Sequence, residues 1–94
     1  MNDLEVLNEI LAAFESGKNI RTCIQFGTVQ GCFVVETIEQ KEHANQWIFR
    51  GGTFMLSTGR YQFLRKVEEG NLVRYIFAPK LEAHPKKLIA FEIS

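Results

Sequence analysis

The sequence predicts an α+β fold: one N-terminal amphipathic helix packed on a curled antiparallel sheet of five to seven strands, or on a small barrel. Three observations carry this. Apolar residues repeat at helical spacing only before Gly17, after which the apolar period falls from about 3.6 to about 2. Eight Phe, one Trp and two Tyr among 94 residues are enough to fill one core. No repeat, low-complexity tract or linker interrupts the chain, so residues 1–94 are expected to form one domain.

The helix is expected over about residues 3–16. Leu4, Leu7, Leu11 and Phe14 fall on one helical face, Val6, Ile10 and Ala13 widen it, and Glu5, Asn8, Glu9 and Glu15 take the remainder. Asn2 is placed to cap it, with Glu5 three positions on, and Gly17 supplies a left-handed stop.

Strands are expected at about 20–26, 29–38, 46–56, 60–67, 71–78 and 88–93. Gly27-Thr28 suits a two-residue hairpin turn with glycine first, so Phe26 should face Val29. The register then runs Ile24 with Gly31, Thr22 with Phe33 and Ile20 with Val35 on the core face, and Cys23 with Cys32 on the other. Residues 46–56 are read as one strand bulged at Gly51-Gly52, in preference to a hairpin folded there, because the hairpin arms would be short. In the hairpin alternative Phe49 would face Phe54 and Ile48 would face Met55. Glu68-Glu69-Gly70 suits a turn with a glycine bulge, placing Phe63 by Tyr75 and Tyr61 by Phe77. Both prolines fall between Pro79 and Lys87, which reads as a loop, and Ile89, Phe91 and Ile93 share one face of the last strand.

Charged or amide side chains interrupt every apolar run before it reaches the roughly 18–20 residues of a membrane span. No membrane partner is expected. The start Met1-Asn2-Asp3 has neither the basic nor the apolar region of a secretory signal, so the default expectation is a soluble, cytoplasmic protein. Two cysteines are too few for a secreted disulfide framework.

Eleven basic side chains balance eleven acidic ones. The neutral total hides an asymmetry, because residues 1–47 carry minus four and residues 48–94 plus four. Within the basic half, Arg50, Arg60, Arg65, Lys66 and Arg74, with Tyr61 or Tyr75, are the candidate binding residues for single-stranded nucleic acid. That reading needs the tyrosines exposed beside Arg65. The competing expectation is aromatic core with Lys and Arg keeping strand faces and edges soluble.

Cys23 and Cys32 fall opposite each other in a non-hydrogen-bonded pair, where alpha carbons lie about 4.5 Å apart. This is at the near end of what a disulfide accepts. The expected state is two half-buried thiols, with a cross-strand bond as the oxidised alternative. Together with His43 and His84 the cysteines match no compact zinc spacing, so no metal and no cofactor are expected.

Catalytic groups are sparse. Asp3 is the one aspartate and starts the helix, while Ser16, Ser57 and Ser94 do not combine with a base and an orienting acid. Gly51-Gly52 lacks the Lys-Ser/Thr of a phosphate-binding loop. An enzyme is not expected.

Phe49-Arg50-Gly51-Gly52-Thr53-Phe54-Met55-Leu56 resembles the arginine-glycine strand of the Sm-like RNA-binding barrels, and Phe26 to Gly31 resembles their first motif. The resemblance implies a helix followed by a small barrel, and RNA as ligand. Gly27 and Gly31 are one residue too close for that motif, no Asp-x-x-x-Asn follows, and 19 positions separate Gly31 from Arg50.

These features favour a small non-catalytic binding or regulatory protein, an inhibitor or adaptor, acting through a protein partner or by self-association as a homo-oligomer. The alternatives are RNA binding by the basic half and small-ligand binding in the curled sheet near Trp47.

Overall fold

In the computed structural model, which describes residues 2–41, 46–81 and 87–94, one helix is followed by eight strands in two antiparallel sheets. Helix α1 is Asp3–Glu15, followed by β1 Ile20–Phe26, β2 Val29–Val34, β3 Thr37–Lys41, β4 Gln46–Gly51, β5 Phe54–Ser57, β6 Tyr61–Glu69, β7 Leu72–Pro79 and β8 Lys87–Ile93. The larger sheet has the order β2-β1-β8-β7-β6 and the smaller β3-β4-β5. Neither closes on itself, so the architecture is α+β and not a closed barrel.

The helix forms as its caps require. The Asn2 side chain accepts the Glu5 amide at 2.9 Å, satisfying a donor that the first turn cannot. At the other end the amides of Gly17 and Lys18 donate back to Phe14 and Ala13. Val6, Leu7 and Ile10 are buried, and α1 rests on β1, β6 and β8. Asp3 reaches beyond the helix to accept the Phe63 amide at 2.9 Å on the outer edge of β6.

The first hairpin has the expected register, from Phe26 opposite Val29 to Thr22 opposite Phe33, with Cys23 opposite Cys32. The expected strand 29–38 divides, however. Val35 still donates to Ile20, but the next amide, Glu36, donates to Arg50, so the backbone changes sheets between consecutive residues. β2 and β3 are the two arms of that bend.

Residues 46–56 also divide, against the preference for one bulged strand. Gly52, at φ +59°, forms the turn of a β4–β5 hairpin, and its amide donates to the Glu36 carboxylate at 2.8 Å. Gly51 faces Phe54 and Phe49 faces Leu56, two residues out of the alternative register that set Phe49 against Phe54. Short arms suffice because β4 is paired on both sides, by β3 and β5.

The β6–β7 register differs as well. Phe63 faces Phe77 and Tyr61 faces Pro79, because the loop is the two-residue turn Gly70-Asn71 and a bulge interrupts β6 between Phe63 and Arg65. Tyr61 and Phe63 thus face the core, whereas Arg65 moves to the outer face opposite Ile76 and Lys66 turns inward opposite Tyr75.

The core lies between the two sheets and the helix. Phe91 sits at its centre, with ring centroids 4.5 Å from Phe49 and 5.4 Å from Phe77, and Ile20, Trp47, Ile89 and Ile93 surround it. Trp47 is buried in this cluster, so it lines no open end of the sheet.

Candidate protein-binding surface

An apolar groove of about 300 Å³ lies between the β1–β2 and β4–β5 hairpins. Phe26, Val29 and Gly31 line one wall, Phe54 and Met55 the other, with Ile24 and Phe33 behind. Large apolar side chains are exposed here: Val29 at 71%, Phe54 at 62%, Phe26 at 61% and Met55 at 54%. Phe26, Val29 and Phe54 belong to the same strand faces as the core but lie past the point where the opposite sheet covers them, whereas Met55, opposite Arg50, reaches the groove from the other face of the edge strand β5. A β-carbon built on Gly31 would meet nothing within 4 Å, so this residue leaves the groove floor open.

The groove is bordered by the outer edge of β2, which among the described residues pairs only with β1. Because Ile20 and Val35 are hydrogen-bonded across that pair, alternation directs the amides and carbonyls of Val29, Gly31 and Phe33 towards β1 and those of Gln30, Cys32 and Val34 outward. The Val34 carbonyl is approached so closely by Gly51 that a β-carbon there would overlap it. Gln30 and Cys32 are therefore the residues of this edge whose amide and carbonyl are both accessible.

The opposite edge, β6, is defended. It carries Arg65, Lys66, Glu68 and Glu69, it is bulged, and Asp3 occupies the Phe63 amide. β2 has none of these: its residues are uncharged and its register unbroken.

The outer face of the larger sheet carries the charges. Glu92 is nearly buried at its centre, accepting hydrogen bonds from Arg21 on β1 through Oε1 and from Arg74 on β7 through Oε2 at 2.6 Å. Burial by itself would raise the Glu92 carboxyl, but the hydrogen bonds and charges of Arg74 and Arg21 outweigh it and hold the group below its usual range. A shallow depression of about 320 Å³ lies alongside, over Ala90, Ile76 and Leu88, with Arg65 at its rim.

Cys23 and Cys32 are joined as a disulfide across β1 and β2, with alpha carbons 4.1 Å apart, rather than standing as the two thiols expected. Cys23 Sγ lies 3.4 Å from Glu92 Oε1, which in the bonded form is a contact without a proton to share.

The sequence-predicted basic residues do not form one surface, although Arg65 and Arg74 share the depression just described. Arg65 and Arg74 lie on the outer face, and Arg74 is engaged by Glu92 and Glu69. Lys66 lies on the opposite side beside Tyr75, paired to Glu68 at 3.2 Å. Arg50 is in the smaller sheet, paired to Glu39, and Arg60 is in the turn before β6. Tyr75 is buried, its hydroxyl donating to the Glu9 carboxylate, and burial followed by that carboxylate raises its pKa. Tyr61 is half-buried under Lys87. Neither tyrosine forms an exposed platform beside Arg65. Among the described residues no cluster of metal-ligating side chains forms, and His43 and His84 lie outside them.

Phe26, Val29, Gly31, Phe54 and Met55 were not singled out by their residue types. A signal was present nonetheless: residues 22–35 contain no charged side chain, an unusual length for strands that must reach solvent. No protein-family model, no curated protein and no solved structure matches the chain.

Proposed function

We propose that this is a small non-catalytic binding protein, a regulator of the inhibitor or adaptor kind, which works by holding an extended segment of a protein partner in the groove beside β2. The observation that carries this reading is the coincidence of an uncharged, unpaired strand edge with four exposed large apolar side chains on one side of it. An added strand would take its hydrogen bonds from Gln30 and Cys32 and its specificity from the apolar walls. Contiguous apolar exposure of this kind marks an interaction site more often than an ordinary surface.

Nucleic-acid binding is less well supported, since the basic residues lie on different faces and Arg50, Lys66 and Arg74 are already paired to carboxylates. A cytoplasmic setting goes with the proposal, and its reducing conditions would favour Cys23 and Cys32 as adjacent thiols without altering the strand register. No helix among the described residues is long and apolar enough to cross a membrane.

Selection of displayed extended peptides on the wild-type protein tests the reading. Gly31→Val places a side chain in the groove at a site with room for it, and Arg65→Glu reverses a charge on the far face. Selected peptides are expected to lose at least about tenfold in affinity to the first variant and none to the second. Ligands insensitive to Gly31→Val, or a salt-dependent oligonucleotide affinity removed by Arg65→Glu, would move the binding surface elsewhere.

A further inference from the structure

We infer that the strand seated on β2 is the β2 of a second copy of this chain, forming a two-fold antiparallel pair centred on Gly31. The inference rests on the groove reading above and names its occupant.

The register follows from the backbone. In an antiparallel pair, residues whose amides and carbonyls point across the seam must stand opposite one another. When a strand pairs antiparallel with its own copy every pair has the same residue-number sum, so the register is fixed by which residue stands on the two-fold axis. With Cys32 on the axis, Gln30 would need the Val34 carbonyl, which Gly51 crowds. With Gly31 on the axis, Gln30 of each copy faces Cys32 of the other, and both residues use both of their free groups. Four hydrogen bonds then cross the seam.

The side chains agree with this arrangement. Gly31 meets Gly31 in the close, non-hydrogen-bonded position on the axis, where the two backbones approach with no side chain between them. One step along, Val29 of each copy lies opposite Phe33 of the other. The two grooves thereby merge, covering Val29, Phe26, Phe54 and Met55 from both sides. At the exposures given above these four side chains present roughly 500 Å² per copy, a large part of the roughly 800 Å² that each partner contributes to a standard interface.

Charge also favours a second copy. β2 carries no charge to repel its image, and the whole chain is neutral. The other edge of the same sheet, β6, would set Arg65, Lys66, Glu68 and Glu69 against a neighbour and has its Phe63 amide occupied. Within the larger sheet pairing is thus directed to one edge, and an isologous contact there closes at two copies instead of propagating.

The test combines sedimentation equilibrium from micromolar to submillimolar protein with amide hydrogen exchange at both ends of that range. A concentration-dependent dimer is expected, with the Gln30 and Cys32 amides slowed at least about tenfold in concentrated protein and exchanging freely when dilute. Val29→Lys should weaken the dimer at least about tenfold while leaving the thermal midpoint of the dilute monomer unchanged. If that variant does not fold, the wild-type exchange of Gln30 and Cys32 decides alone. A monomer at every concentration overturns the inference while leaving a foreign partner open, because the peptide selection against Gly31→Val reads that separately. A dimer whose Gln30 and Cys32 amides stay unprotected also overturns it, placing the contact on another face.

Discussion

Thr22 sits wholly buried on β1 between Phe33 and Phe91, and its hydroxyl has no hydrogen-bond partner among the described residues. An unpaired buried hydroxyl bears its desolvation cost without return, so replacing it by a methyl of the same shape should be neutral or stabilising. Thr22→Val is expected to hold or raise the free energy of unfolding by up to about 1 kcal/mol, whereas Thr22→Ser, which keeps the hydroxyl and loses the methyl, should lower it by about 1 kcal/mol. Urea denaturation of the three proteins checks the order, and a Val variant clearly less stable than wild type would reveal a partner for the hydroxyl. At other residues pattern alone is sufficient. Asn2 caps the helix, and Cys23 faces Cys32. Arg74, a candidate binding residue by its type, donates to Glu92, and residue type does not tell which carboxylate a strand neighbour will supply.

Among the elements, the β4–β5 hairpin shows most clearly what a local reading lacks. Gly51-Gly52 fits a bulge as well as a turn, and the choice depends on β3, which pairs with the other side of β4 and makes a four-residue β5 sufficient. The reason for Gly51 is likewise non-local. It lets the hairpin approach the bend between β2 and β3, where a β-carbon would overlap the Val34 carbonyl oxygen and come within 2.8 Å of the Phe33 ring. Backbone cannot retreat as a side chain can, so Gly51→Ala should cost at least about 2 kcal/mol, a fall of roughly 10 °C in the thermal midpoint. Calorimetry of Gly51→Ala beside Gly31→Ala, where there is open space, separates the steric cost from the common effect of removing a glycine. Similar losses in both would show that the close approach does not limit stability. The β6 bulge carries the same lesson, since one extra residue exchanged the faces of Arg65 and Lys66 and so dispersed the expected basic surface.

At the scale of the whole molecule, topology sets the charge layout. The acidic first half and basic second half do not occupy separate ends, because β1 lies between β2 and β8 and thus joins strands from both. Arg21, Glu92 and Arg74 form a row across three adjacent strands, binding early and late segments through one nearly buried carboxylate. Its pKa is depressed in the folded state, so the stability it contributes is complete above its ordinary value of 4.5 and is lost as the pH falls through the depressed value. Near neutral pH, Glu92→Gln should be less stable than wild type by about 2 kcal/mol, and the gap should close progressively below pH 4.5. Denaturant unfolding at a series of pH values reads this directly. A gap that stays constant through the acid range would mean that packing, and not charge, makes the difference.

Periodicity and turn chemistry, which are local, were sufficient to determine the helix and its caps, the change to strands after Gly17, the first hairpin with its register, and the α+β class. A two-residue turn leaves one register open, and a helical stripe leaves one face to bury. Only the tertiary structure decided that two long strands bend into a second sheet, that β6 slips by a bulge, and that the outer edge of β2 is left unpaired. Those outcomes depend on which distant segment satisfies each amide and covers each side chain. Glu36 turns to Arg50 and Asp3 closes the edge at Phe63, while Val29 and Phe26, built as core residues, extend past the sheet that would have covered them.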